Sequence, residues 1–236
     1  MYDWPELTQA HDAMWQELGD RLRTTGIDAP DCLSRDSGDE RFWLDPDLLL
    51  GQTCGYPLAT KLRGKVQYVA TPVYEVKGCS GPLYSSAIVT RKDADLTMDN
   101  WQQGRFVFNS QMSLSGYRAV RAMIGKPESF FTSVAESGGH RLSARMVAKG
   151  DADVAALDAV CWHLLQEHEP ATASQLKVIC WTQKRPALPL ITSLATSRNI
   201  NASLREVLRS ISPPDKLAIS GFEVLKKAEY EQLSAL

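Results

Sequence analysis

The chain has 236 residues, 44% of them hydrophobic, which is enough to bury a core in one domain or two small ones. Its 26 Lys and Arg against 28 Asp and Glu give a formal net charge of -2, with no long Lys/Arg run, so the basic surface of a nucleic-acid binder is not expected. Cys32, Cys54, Cys79, Cys161 and Cys180 form no CxxC pair, and His11, His140, His163 and His168 show no HxH or HExxH spacing, which argues against a disulfide scaffold and a metal site.

The N-terminal MYDWPELTQAHDAM lacks the basic start and apolar stretch of a signal peptide, so the chain as written is expected in the cytoplasm unless an export signal is missing from it. No run of 18 apolar residues exists, and no membrane-spanning helix is expected. From Pro5 to about Thr24, Leu7, Ala10, Met14, Leu18 and Leu22 recur at helical spacing, and Gly26 stops the helix. The segment APDCLSRDSGDERFWLDP reads as polar and irregular. Strands are expected at Leu48–Gly51, Val66–Thr71 (ending at Pro72), Tyr84–Thr90, Arg105–Asn109, Phe130–Val134, Ala152–Leu157, Lys177–Trp181 and Pro189–Leu194. A short helix is expected within TCGYPLATKLRG, and longer ones over Gly116–Ile124, His140–Ala148, Ala159–Glu167, Asn201–Ser210 and Ala228–Leu236. The alternation implies an α/β fold, and strands that are apolar throughout imply mainly parallel sheets. Two places read as crossings between lobes, about Thr90–Asp95 and about Thr182–Leu188. They divide the chain into a discontinuous lobe of residues 1–90 plus 188–236 and a second lobe of residues 91–187.

The stretch NSQMSLSG, Asn109 to Gly116, sets Ser110, Ser113 and Ser115 between an apolar strand and a helix. Unpaired amides at a helix start favour negative charge, Gly116 lets a ligand approach the backbone, and hydroxyls donate without adding charge. The same residues suit plain N-capping by Ser113 or Ser115. Asp158 closes an apolar strand, where ligands of open α/β sheets bind, and it is equally suited to cap the next helix. His140 opens another helix and can offer a ring donor to an anion or simply sit at the surface. Tyr2, Trp4, Tyr56, Tyr74 and Tyr84 lie near predicted strand ends or in loops, as binding walls or as core filler. Gln52 reads as a ligand donor or a buried structural amide. Cys54, with His140 and Asp158 elsewhere in the chain, allows a thiol-dependent enzyme, although no local motif marks a nucleophile. Neither GxxxxGK[ST] nor GxGxxG occurs, and no cofactor is implied.

Taken together in order, LLLGQTCGYPLATKL, VATPVYEVKGCSGPLYSSAIV, FNSQMSLSGYRAV and AKGDADVAALDAVCWHLL resemble the phosphonate-binding-protein-like family, the substrate-binding components of ABC importers for phosphate, phosphite and phosphonates. The resemblance covers about Tyr2 to Phe222. It implies a two-lobed type II periplasmic-binding-protein fold with a two-strand hinge, a periplasmic location, a monomer and an ABC permease as partner. It also implies a small anionic ligand held between the lobes by Ser110, Ser113, Ser115 and Gly116. Asp158, His140, Gln52, Tyr56 and Tyr84 match positions that face the ligand in relatives, and Tyr2, from the set of aromatics, is a further candidate contact. Relatives open with a strand before a MYD-like stretch, so the resemblance implies that either the first strand is absent here or the start is assigned downstream. A ligand sensor or partner-binding module with the same fold is the alternative to transport.

Overall fold

The computed structural model describes residues 2–35 and 40–236, so part of the expected irregular segment, residues 36–39, lies outside the described residues. In chain order the elements are α1 (Thr8–Thr24), β1 (Gly51–Gln52), α2 (Gly55–Ala59), β2 (Val66–Tyr74), β3 (Cys79–Ser80), β4 (Leu83–Tyr84) and β5 (Ser86–Arg91). There follow β6 (Arg105–Phe108), α3 (Ala119–Ile124), α4 (Pro127–Phe130), β7 (Ser133–Glu136), α5 (His140–Lys149), β8 (Val154–Asp158), α6 (Ala159–His168) and α7 (Pro170–Ala173). The chain closes with β9 (Leu176–Trp181), β10 (Arg185–Pro186), β11 (Leu190–Ser193), α8 (Arg198–Ser210), β12 (Ile219–Glu223) and α9 (Lys227–Glu231).

These elements form two compact units. Unit 1 comprises Met1–Glu75, Ser80–Pro82 and Pro186–Ser234; unit 2 comprises Val76–Cys79, Leu83–Arg185 and Ala235–Leu236. The first passage from one to the other therefore falls at 75–83, ahead of the 90/91 read from sequence, and the return falls at 185/186 rather than 187/188. The reason is β5. Its SAIVTR run is apolar enough to suit either core, and it pairs with β8 on one side and β9 on the other.

In unit 1 the sheet order is β1-β11-β2-β12, and every pairing is antiparallel. Strand β2 does not stop at Pro72. Strand β11 leaves it at Ala70 and β12 takes over on the other side, with Phe222 opposite Pro72, so the proline lies beyond the β11 ladder. Helices α1 and α8 cover this sheet with Trp15, Leu18, Leu22, Leu204 and Leu208 packed on Val69, Ala70 and Phe222. Each fully buried leucine contributes about 2 kcal/mol of hydrophobic stabilisation. Ser197 caps α8 by accepting from Ile200 N.

Unit 2 holds a five-stranded sheet in the order β7-β6-β8-β5-β9. Only the β6–β7 and β6–β8 pairs are parallel, while β5 runs antiparallel to both neighbours. The expectation of mainly parallel sheets is thus corrected. An apolar run shows that a strand is buried on both faces, but not in which direction it runs. The expected strand at Phe130–Val134 is also revised: Pro127 starts the one-turn helix α4, and the strand begins only at Ser133. Phe130 and Phe131 instead pack on Trp101, with ring centroids 5.3 and 5.2 Å away. Trp101, Phe106, Phe108, Tyr117 and Phe131 make an aromatic core under the parallel strands.

Candidate functional site

The three parallel strands of unit 2 end on the same side, at Phe108, Glu136 and Asp158; turns lead from the first two into helical segments, and α6 follows Asp158 directly. Beyond Phe108 the turn is folded by its own hydroxyl: Ser110 Oγ accepts from Met112 N at 3.2 Å and its carbonyl accepts from Ser113 N at 3.0 Å. Ser113 then caps the next segment, accepting from Gly116 N at 3.0 Å. Leu114–Arg118 is a π-helical turn, with Arg118 N reaching back five residues to Ser113 O at 3.1 Å before α3 continues. The hydrophobic spacing predicts an ordinary helix from Gly116. One extra residue per turn is not visible in hydrophobic spacing. Asn109 Oδ1 lies directly against Gly116, where any Cβ would sit. That oxygen is buried without a hydrogen-bond partner.

The turn after β7 is tied to the turn after β6 by Ser137 N to Phe108 O, 2.8 Å, and Gly138 N to Asn109 O, 3.0 Å. This places His140, the first residue of α5, beside the serines. His140 Nε2 lies 2.9 Å from Ser115 Oγ, and Ser115 Oγ lies 3.3 Å from Ser113 Oγ. On the other side of the ring, Nδ1 is 3.2 Å from Ala156 O in β8. A carbonyl only accepts, so Nδ1 carries the proton. Burial drives the imidazole pKa down to about 4 against the opposing pull of Ala156 O, so the ring is neutral at pH 7 and Nε2 is an acceptor. Ser115 therefore donates to His140.

Asp158 is almost fully buried, and Oδ1 accepts from Val160 N at 2.8 Å and Cys161 N at 3.3 Å. The capping alternative raised by the sequence is thus realised. Burial, followed by the charge of Asp158, pushes the Cys79 thiol up to about 12 and Cys161 up as well, so both stay protonated. Directly opposite Asp158 across the β5–β8 ladder is Ser86, which sequence reasoning missed; its Oγ donates to Ser115 O at 2.9 Å. The signal was present in the paired hydroxyls of YSSAIV, just ahead of the apolar run.

Ser110, Ser113, Ser115, Gly116 and His140 are thus brought together in unit 2 by direct bonds and close approach, with Asp158 at the end of the adjoining strand. Tyr84, also in unit 2, is buried, and its phenol acts electrostatically on Arg185. Tyr2, Gln52 and Tyr56 belong to unit 1. There Tyr2 packs edge-on against Tyr74 at 5.4 Å, and Gln52 Nε2 donates to the Tyr74 hydroxyl at 3.3 Å. Tyr56 sits half-buried in α2, one turn ahead of Thr60, whose Oγ1 donates to its carbonyl. Cys54 also belongs to unit 1, whereas His140 and Asp158 are committed to Ser115 and to the α6 amides. Unit 1 holds a cavity of about 450 Å³, lined among others by Leu58, Arg63, Tyr68, Arg205 and Tyr230, and by none of the residues read from sequence as ligand contacts.

A model of the family described as ABC transporter, phosphonate, periplasmic substrate-binding protein matches residues 46–234. The chain belongs to this phosphonate-type family. It is a family of substrate-binding proteins. Similar solved structures include a binding protein component of an ABC phosphonate transporter, PA3383 from Pseudomonas aeruginosa, at TM-score 0.73 and 20% identity over 95% of this chain and 81% of that one. PhnD1 from Prochlorococcus marinus, in complex with methylphosphonate, aligns at TM-score 0.71 and 14% identity over 97% and 92%. XAC2383 from Xanthomonas citri, bound to ATP, aligns at 0.70 and 18% over 96% and 93%. No curated protein matches the sequence. The α/β fold of this phosphonate-type chain is accordingly that of type II periplasmic binding proteins, its two units being the two lobes. Among the described residues, no helix is long and apolar enough to cross a membrane.

Proposed function

We propose that the chain is the solute-binding component of an ABC importer and captures a small phosphorus oxyanion of the phosphonate or phosphate class. The convergence of Ser113, Ser115 and His140 beyond the carboxyl ends of parallel strands carries this reading. The groups gathered there are hydroxyls, turn amides and a neutral imidazole, none of which brings a charge, so an anion held there is released without breaking an ion pair. Methylphosphonate, bound by PhnD1, is the first ligand to try, and ATP, bound by XAC2383, is a contrasting one. Capture involves no bond chemistry, and a ligand shifts the conformational population only by contacting one form better than another.

The test is isothermal titration with methylphosphonate, inorganic phosphate, sulfate and ATP, on the wild type and on the Ser113→Ala, Ser115→Ala double variant. Binding of methylphosphonate or phosphate without turnover, weakened at least tenfold or so in a double variant that still folds, is expected. Unchanged affinity in that variant would place the ligand elsewhere. Turnover of any of the four compounds would point to an enzyme.

A further inference from the structure

We propose that the site discriminates ligands by protonation state, with His140 and Ser115 requiring one proton to enter the complex along with a fully ionised oxyanion. This rests on the reading of Ser113, Ser115 and His140 as the ligand site. The hydrogen-bond directions carry it. His140 Nδ1–H is spent on Ala156 O, so Nε2 accepts, and the Ser115 hydroxyl proton is spent on Nε2. Ser113 Oγ accepts from Gly116 N and, since the Ser115 proton is committed, donates the 3.3 Å bond to Ser115 Oγ, a proton it can redirect to a ligand. The pair of hydroxyls is therefore not equivalent: Ser113 can donate to a ligand, while Ser115 offers only lone pairs.

An oxyanion oxygen facing Ser115 meets lone pairs with lone pairs. Two arrangements relieve this. The ligand oxygen carries a proton and donates it to Ser115 Oγ. Alternatively, His140 Nε2 takes a proton from solvent and donates to Ser115 Oγ, which then turns its own hydrogen toward the ligand. Each complex holds one proton more than the free protein and the dianion. A phosphonate or phosphate, whose second ionisation lies near neutrality, can bring that proton in. Sulfate, fully ionised over the same range, cannot.

Among the described residues, no charge on the elements packed against α5 substitutes for the proton. The elements packed on α5 are β5, β6, β8, β9, α6 and α7. Arg91 of β5 is paired with Asp93, Arg105 of β6 with Asp153, and Lys177 of β9 bonds Ala94 O. Asp158 of β8 caps α6, and the thiols of Cys161 in α6 and Cys180 in β9 are held protonated by burial. His163, Glu167 and His168 lie on α6, and Arg118 of the serine turn donates to Gln111 O; α7 contributes no charge, and Glu169 just before it binds Arg141 and Arg145 of α5 itself, whose last residue is Lys149. Burial lowers the imidazole pKa and the Ala156 carbonyl opposes it, and Ser115 bonds the other ring nitrogen.

Proton uptake is measured by titrating methylphosphonate, and separately inorganic phosphate, into the full chain in buffers of different ionisation enthalpy. Above the probe's second ionisation, uptake approaching one proton per ligand is expected, with affinity falling about tenfold per pH unit. In His140→Gln the terminal amide can turn its NH2 to Ser115 and free that hydroxyl to donate. The variant is expected to bind with little proton uptake, a flat pH profile and a narrowed preference over sulfate. Wild-type binding without uptake and with pH-independent affinity overturns the relay while leaving the oxyanion reading standing. So does undiminished uptake in a folded His140→Gln protein. Failure of both probes to bind the wild type overturns the two together. Should His140→Gln not fold, the wild-type proton count alone decides.

Discussion

Glu169→Gln isolates the interaction that seats the helix carrying His140. Glu169 lies at the corner between α6 and α7 with its side chain 11% exposed, and it accepts from Arg145 at 2.6 and 3.0 Å, from Arg141, and from Thr172 Oγ1 at 3.2 Å. Burial alone would raise its pKa, but the bonds from Arg145 and Arg141 outweigh that and bring it from 4.5 down to about 2. The difference of about 2.5 units corresponds to about 3.4 kcal/mol at neutral pH, at 1.36 kcal/mol per unit. Arg145 is 44% exposed and Arg141 24%, so solvent screening reduces the expected loss to about half, 1.5–2 kcal/mol. Because the folded pKa is depressed, this stability is fully present above 4.5 and is lost as pH falls through about 2. At pH 3 the linkage relation leaves about 1.4 kcal/mol before screening and about 0.7 after it. Urea denaturation of wild type and Glu169→Gln at pH 7 and pH 3 reads both values. A variant as stable as wild type at pH 7, or a difference that does not shrink at pH 3, would refute the charge-based account of how α5 is held.

Two further substitutions separate the site from its scaffold. In Gly116→Ala the added Cβ falls on Asn109 Oδ1 and 3.3 Å from His140 Cε1, so methylphosphonate binding should be lost and stability should fall by about 1–3 kcal/mol; wild-type affinity in this variant would mean that the turn has room the geometry denies. Thr71→Val removes the buried hydroxyl that joins the Tyr68 and Tyr230 phenols, 2.7 Å from each, and should cost about 1–3 kcal/mol in denaturation while leaving methylphosphonate affinity unchanged. An affinity change there would count against placing the ligand groups in unit 2.

Helix α1 was legible because Leu7, Ala10, Leu18 and Leu22 all turned inward and Gly26, at φ +81°, ended it where expected. The serine turn was legible as a helix start because hydroxyls between a strand and a helix suit N-capping, which Ser113 performs. Strand β12 was not, since ISGFE carries Gly221 and a register shift between Ile219 and Gly221, so its burial does not alternate cleanly. The boundary at 75–83 was missed because β3 and β4, which lie on it, are two residues each and leave no periodic trace. The polarity of His140 was invisible for a different reason. It depends on the carbonyl of Ala156, sixteen residues away and in another element, and a backbone carbonyl has no residue type to read.

That dependence bears on how a neutral site can be selective. A guanidinium clamp offers donors only, and it grips phosphate, sulfate and carboxylate alike. A hydroxyl whose own proton is committed offers an acceptor next to a donor, so a ligand must match both. Leaving one such buried group unmatched costs about 1–3 kcal/mol, a factor of roughly 5 to 150 in affinity. Discrimination of that size needs no additional charge. It needs Ser115, His140 and Ala156 to be fixed in one order, and the parallel arrangement of β6, β7 and β8 does this by ending three strands at one edge. An antiparallel β8 would carry Asp158 and the α6 cap to the opposite edge, and the serine turn would lose its neighbour. The few parallel pairs in this sheet are the ones that bring the proposed ligand groups to one edge.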